Sequence, residues 1–121
     1  MKKLIVVLVF LFAATALFGQ SIQVPDVMIG KWLDHNYDAV WDFSTTNIRI
    51  LSTSGEVIFD FRGRTIKNFA PLLENGVPGV TFSCDETART YRFLKPVLNT
   101  DLILEIDRTN LPRYNVTMKK Q

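Results

Sequence analysis

The chain has 121 residues, of which 47% are hydrophobic, and its 14 lysines and arginines exceed its 12 aspartates and glutamates by two. Since Lys2 and Lys3 account for that excess, the rest of the chain has no net positive charge with which to bind nucleic acid or an anionic membrane surface. The single cysteine excludes an internal disulfide, and the single histidine excludes metal sites built from several histidines.

The N-terminal segment has the pattern of a secretory signal peptide. A short basic start precedes an apolar run from Leu4 to Phe18, and small residues surround the end of that run. A helix of this length rises only about 22 Å, which is less than the roughly 30 Å of a bilayer's hydrocarbon core. We therefore expect residues 1–19 to be a cleaved signal peptide; the alternative is an uncleaved membrane anchor.

Two positions fit signal-peptide cleavage, after Ala16 and after Gly19, because small residues stand at each. Residues 17–19 also resemble the start of a bacterial lipoprotein box, in which the next residue is the cysteine that receives lipid. Here the next residue is Gln20, so we expect no lipid anchor. These features predict an exported protein, periplasmic or extracellular and not integral to the membrane, whose remaining residues 20–121 form one domain.

Apolar and polar residues alternate along much of the rest of the chain. Ala39, Trp41 and Phe43 share one face while Asp42 lies on the other, and the same period of two recurs in later segments. This period is typical of antiparallel strands that bury one face. The predicted buried face carries many aromatic rings, namely those of Trp32, Trp41, Phe43, Phe59, Phe61, Phe82, Tyr91, Phe93 and Tyr114.

Short turn sequences such as Ser54-Gly55 and Asn75-Gly76 separate the alternating segments. Strands with such brief connections pair with their sequence neighbours, and an up-and-down sheet most simply removes its exposed edges by closing. We therefore predict an all-β fold, a single up-and-down antiparallel β-barrel of about eight strands. Residues 70–74 are an exception, because we expect an irregular loop there with a helical turn beginning at Pro71.

The first predicted strand carries Gly30-Lys31-Trp32 at the start of this meander. A glycine-x-tryptophan at that place, followed by about eight strands, resembles the small bacterial lipocalin-like barrels of the calycin group. The resemblance implies that Gly30 and Trp32 are structural, with the tryptophan packed over the closed end of the barrel. It also implies a basic partner for that ring near the end of the last strand, a position that Lys119 or Arg113 fits.

The same resemblance implies a binding protein for a small hydrophobic or amphipathic molecule, held at the barrel mouth without a cofactor. The bulky inward rings favour a mostly filled barrel and hence a shallow site. The ligand-binding side chains would be Phe69, Leu72 and Leu73 of the apolar loop, together with Trp41, Phe59 and Tyr91 of the inward face.

The alternative function is a protein-binding module, such as a periplasmic protease inhibitor. Some small inhibitors of this kind are eight-stranded barrels that insert an N-terminal arm into an active site, and Ser21 to Val27 is the corresponding segment here. Fold alone does not choose between these two functions.

The candidate chemistry is sparse. His35 lies between Asp34 and Asp38 and could hold a metal or act as a base, but we interpret this segment as a solvated loop. Cys84 falls on the inward face and is interpreted as a small buried thiol, with pairing to another chain as the alternative. The basic residues at 62, 64 and 67 are interpreted as an ion-pair surface. We expect no catalytic residue and no metal site.

Overall fold

A computed structural model describes residues 20–121, so the predicted signal peptide at residues 1–19 lies outside the described residues. No helix within residues 20–121 has the length and hydrophobicity needed to cross a membrane. A 3-10 helix, Asp26–Met28, precedes nine strands: β1 (Gly30–Asp34), β2 (Ala39–Ser44), β3 (Asn47–Ser52), β4 (Val57–Asp60), β5 (Ile66–Glu74), β6 (Val77–Cys84), β7 (Arg89–Leu94), β8 (Asp101–Arg108) and β9 (Leu111–Lys120). The predicted all-β fold is confirmed.

The strands form one curled antiparallel sheet in the order β4-β3-β2-β1-β9-β8-β7-β6-β5. An odd number of strands cannot form a ring in which every neighbouring pair is antiparallel, so β4 and β5 would have to pair in parallel. Parallel neighbours need a crossover of about a dozen residues or more, whereas only residues 61–65 separate β4 from β5. The sheet of the described residues therefore stays open between these strands, and the predicted barrel takes the form of a nine-stranded half-barrel.

The prediction of an irregular loop at residues 70–74 is wrong, because these residues belong to β5. Pro71 lies opposite Val80 in the ladder. Proline cannot donate a backbone hydrogen bond, but β5 is an edge strand, where one side of the backbone needs no partner strand. A bulge between Lys67 and Ala70, with Asn68 at a φ of 58°, marks the irregular part of the strand.

Trp32 lies in the core, and its Nε1 donates a 2.9 Å hydrogen bond to the Met28 carbonyl oxygen. The cation over its ring is Lys120, with Nζ 5.6 Å from the ring centroid. The expected partner, Lys119, lies one position off and bonds Asp101 on the other face, because successive side chains of a strand alternate. Gly30 has a φ of 133°, and a Cβ there would lie 3.1 Å from Lys120 Cε. The positive φ explains the glycine, because residues with a Cβ rarely adopt it, whereas the flexible Lys120 side chain could move aside.

The first described residues pack against the open side of the half-barrel. The Gln20 backbone N–H donates to Ile66 O of β5 at 2.7 Å, while Val24 N–H donates to Thr45 O in the β2–β3 turn at 2.9 Å. Ile22 is only 4% exposed and belongs to the core. The segment proposed as a free inhibitory arm is therefore packed into the fold over its first half.

Candidate functional site

One end of the half-barrel holds a cavity of about 310 Å³. We call it the mouth cavity. Its inner part is formed by buried apolar side chains and its outer part by exposed ones, with Ile58 61% exposed. Its lining residues are Asp34, Tyr37, Ala39, Trp41, Ile50, Ile58, Arg89, Ile106, Arg108 and Tyr114.

Strand alternation places two arginines at this cavity. On β8 the buried residues Leu104 and Ile106 occupy alternate positions, and Arg108 takes the next position on the same face. On β7 Arg89 continues the inward series that contains Tyr91. Arg89 and Arg108 lie directly opposite each other in the β7–β8 ladder. The inward face therefore changes from apolar to cationic where the two strands reach the mouth.

The two inward arginines differ from their outward neighbours in charge pairing. Within residues 20–121, neither Arg89 nor Arg108 has a carboxylate oxygen within 4.0 Å, whereas Arg92 and Arg113 each contact Asp107 at 2.7 Å. Arg108 is held in place because its Nε and Nη2 donate to the carbonyl oxygen of Pro112 at 3.1 and 2.7 Å. Like charges directly opposite each other on a sheet are unfavourable. The two positive charges at the rim of the mouth cavity are thus not held in an ion pair, although the Asp34 carboxylate lines the same cavity.

Asp34 and Tyr114 form the neighbouring wall, where the Arg108 guanidinium lies 5.9 Å from the centroid of the Tyr114 ring. Asp34 is 2% exposed, and it accepts hydrogen bonds from the Tyr114 hydroxyl and from the Asn36 backbone N–H. Burial, followed by the Asp34 carboxylate that accepts the proton of this bond, raises the pKa of Tyr114 to about 12. The tyrosine is therefore a neutral donor at ordinary pH. The Tyr37 ring packs 5.3 Å from that of Tyr114 and extends the wall towards solvent.

A dense aromatic cluster closes the cavity from below. Trp41 lines the cavity and lies within 6.2 Å of the ring centroids of Phe61, Tyr91 and Phe93. Burial raises the pKa of Tyr91, whose hydroxyl donates to Thr87 Oγ1 at 3.0 Å. Because these rings pack against one another beneath Trp41, they form the floor of the mouth cavity.

Of the predicted ligand-binding residues, the mouth cavity includes Trp41. Phe59 and Tyr91 belong to the aromatic cluster behind it. Phe69 stacks on Phe82 at 6.2 Å, and Leu72 and Leu73 lie farther along the edge strand β5, with Leu73 74% exposed. The structure therefore places Phe69 against the same aromatic cluster as Phe59 and Tyr91, and it separates Leu72 and Leu73 from that cluster.

Sequence reasoning missed Arg89 and Arg108, and it considered Asp34 only as a carboxylate beside His35. The available signal was the inward phase of positions 89 and 108 on strands whose apolar series had been recognised. Charged residues at strand ends are usually solvated, so an inward phase at these two positions does not by itself predict a site. Asp34 and Tyr114 are 80 positions apart, and nothing local in the sequence indicates that they meet.

The other candidate groups from the sequence, at His35, Cys84 and the basic residues 62, 64 and 67, lie outside the mouth cavity. His35 is exposed in the β1–β2 turn. Cys84 is buried, with Sγ 3.5 Å from Glu86 Oε1, and Lys67 pairs with Asp85 at 2.9 Å. No three of the His, Cys, Asp and Glu side chains in the part of the chain that the structure describes are grouped as metal ligands would be. None of these groups lines the mouth cavity.

In comparisons with protein-family models, with curated proteins and with solved structures, no match to this chain is found.

Proposed function

We propose that the protein is an exported, lipocalin-like binding protein that takes a small hydrophobic or amphipathic molecule into the mouth cavity. The observation that supports this most strongly is the cavity itself, which combines a buried apolar base, aromatic walls and an open outer side. Its volume of about 310 Å³ lies at the lower end of the range for small-molecule sites.

The architecture favours a small ligand held with modest affinity. The aromatic cluster below Trp41 prevents deeper entry, so part of the ligand stays in contact with solvent. Sites that bind tightly cover about 70–90% of a ligand's surface. We therefore expect a dissociation constant on the order of micromolar.

The alternative of an inhibitor with an insertable arm receives less support. Ile22 and Val24 would have to leave the core before Ser21 to Val27 could enter another protein's active site. Exposing a fully buried aliphatic side chain costs roughly 1.5–3 kcal/mol. Small-molecule binding requires no such rearrangement, and the proposal includes no catalytic step.

Titration with N-phenylnaphthylamine, a neutral dye that fluoresces in apolar surroundings, tests the proposal. We expect a saturable signal with the wild type and a strongly weakened one with Ile58→Asp, which places a charge at the cavity's outer wall. Leu98→Asp is the matched control, since Leu98 is 99% exposed and lies outside the cavity. No saturable binding by the wild type, or equal loss in both variants, would contradict the proposal.

Leu73→Asp tests one of the ligand-binding positions that the sequence predicts. Leu73 is exposed on β5 and does not line the mouth cavity. We expect this variant to bind the dye as the wild type does. If Leu73→Asp abolishes binding while Ile58→Asp does not, the ligand site lies along β5 instead.

A further inference from the structure

We propose that the molecule taken into the mouth cavity carries one carboxylate group, which Arg89 and Arg108 bind together. This inference rests on the proposed function and specifies the chemical class of the ligand. It starts from two arginines that face each other across the ladder, on the inward face, without a carboxylate partner among residues 20–121. Arg108 contacts the Pro112 carbonyl oxygen and the Tyr114 ring, and neither of these carries a negative charge.

On the outer face of the sheet, by contrast, arginine side chains do form ion pairs with carboxylates. Arg92 lies three positions after Arg89 on β7, so it points to the outer face, where it contacts Asp107 of β8 at 2.7 Å. Arg113 of β9 contacts the same carboxylate. The outward arginines of these strands are thus compensated, and the inward pair at the mouth is left without a compensating charge.

The geometry of the pair suits a carboxylate. Side chains directly opposite each other in an antiparallel ladder have Cβ atoms about 5 Å apart, so both guanidinium groups can reach one small anion. Arginine presents a planar fork of donors that matches the two oxygens of a carboxylate. Because Pro112 O already accepts from Nε and Nη2 of Arg108, that guanidinium is oriented before the ligand arrives.

The charge of the cavity favours a single negative charge on the ligand. Its ionised lining groups are two arginines and Asp34, which leave a net charge of +1. Asp34 is already bonded to the Tyr114 hydroxyl and the Asn36 N–H, and it lies more than 4.0 Å from either guanidinium. A monoanionic carboxylate would neutralise the cavity, whereas a doubly charged phosphate would leave it negative beside a buried carboxylate.

The apolar part of such a ligand would lie towards Trp41, Ile50 and Ile106, below the two arginines. The buried side chains form the inner wall, and the charged ones stand at the ends of their strands. An aromatic or short aliphatic carboxylic acid has this arrangement, with one charged end and one compact apolar end. The cavity volume of about 310 Å³ suits a ligand of that size.

Calorimetric titration with naphthylacetate and naphthylacetamide tests the inference, because the two share a ring system and differ in charge. We expect the wild type to bind the acetate about tenfold or more tightly than the amide. In the double variant Arg89→Gln, Arg108→Gln this preference should disappear, while the affinity for the amide changes by less than about twofold. Retained binding of the amide also shows that the variant is folded.

The control is the double variant Lys31→Gln, Arg62→Gln, which removes two exposed positive charges outside the cavity and leaves the same net charge. It should keep the preference for the acetate. Equal affinities of the wild type for acetate and amide, or equal loss of the preference in both double variants, would overturn the inference.

Failure of this inference is distinguishable from failure of the proposed function. If N-phenylnaphthylamine binds saturably but naphthylacetate shows no preference over the amide, the cavity binds small molecules without recognising a carboxylate. If neither the dye nor either naphthyl compound binds, the proposed function itself fails.

Discussion

The Tyr114 hydroxyl on β9 lies 2.7 and 2.9 Å from the two carboxylate oxygens of Asp34 on β1, so it joins the last strand to the first at the mouth of the half-barrel. The β1–β9 ladder itself aligns only Trp32 with Lys120 and Leu33 with Lys119. The bond between Asp34 and Tyr114 therefore extends a short strand pairing towards the cavity. It couples the stability of the sheet to the shape of the candidate site.

Removing this hydroxyl should destabilise the protein. Tyr114→Phe takes a donor from the buried carboxylate of Asp34, and an unsatisfied buried polar group costs roughly 1–3 kcal/mol, more when it is charged. We expect a lower midpoint of urea denaturation. Tyr37→Phe is the matched control, since that side chain is 65% exposed and should tolerate the change. Equal midpoints for the two variants would show that the bond does not stabilise the β1–β9 joint.

The packed N-terminal segment gives a second prediction. Ile22→Ala removes a side chain that is 4% exposed in the core and should lower the free energy of unfolding by about 2–5 kcal/mol. The neighbouring Gln23 is exposed, so Gln23→Ala should change that free energy by no more than about 0.5 kcal/mol. Chemical denaturation measures both. If the Ile22→Ala variant is as stable as the wild type, residues 21–27 do not contribute to the core, and the interpretation of this segment as a free arm is favoured.

Trp41 is predicted to be central to both stability and the cavity. Trp41→Ala should cost about 3–5 kcal/mol, because the ring packs against three others in the aromatic cluster. His35→Ala should change stability by no more than about 0.5 kcal/mol, as expected for an exposed turn residue. Thermal melting of both variants checks this. A large loss at His35 would show that the β1–β2 turn is a functional or structural site after all.

Glu105 on the outer face predicts a specific pH dependence. Burial, followed by the neighbouring Glu74 carboxylate, raises the pKa of Glu105 above its usual value, although Arg113 lies 3.9 Å away. A raised pKa in the folded state means that the ionised form is unfavourable there. The penalty is absent below the unfolded pKa of about 4.3 and complete above the folded pKa. Glu105→Gln should therefore stabilise the protein at pH 7 by no more than about 1 kcal/mol, and not at pH 4.

Glu86 provides the control of opposite sign for this pH series. Two hydrogen bonds from Thr65, one from its backbone N–H and one from its hydroxyl, lower the pKa of Glu86 to about 2. Its contribution to stability is complete above the unfolded pKa and is lost as the pH falls towards 2. Glu86→Gln should therefore destabilise the protein at pH 7, and the difference should shrink in acid. Shifts of the same sign in both variants would contradict these assignments.

The alternation of apolar and polar residues was sufficient to predict the strands and most of the aromatic core. Inward residues recur at every second position, as at Ala39, Trp41 and Phe43, and a short stretch of sequence is enough to show this period. The failure at Pro71 came from a property of the whole sheet, since proline is compatible with a strand only when that strand lies at an edge. Edge position depends on the order of all nine strands, and no local pattern shows it.

The candidate site was less predictable than the fold. Its walls come from distant parts of the chain, and Asp34 contacts Tyr114 only because β1 pairs with β9. The inward direction of Arg89 and Arg108 follows from strand phase, but a charged residue at a strand end is normally solvated whichever way it points. Only the curl of the sheet brings these two arginines to the edge of a cavity.

The measurement that tests the central claim most directly is the change in backbone amide signals of isotope-labelled protein when N-phenylnaphthylamine is added. The account predicts saturable shifts at the residues around the mouth cavity, including Tyr37, Ala39 and Arg108, and none along residues 69–73 of β5. Shifts centred on residues 69–73, or no saturable shift at the mouth, would contradict the account.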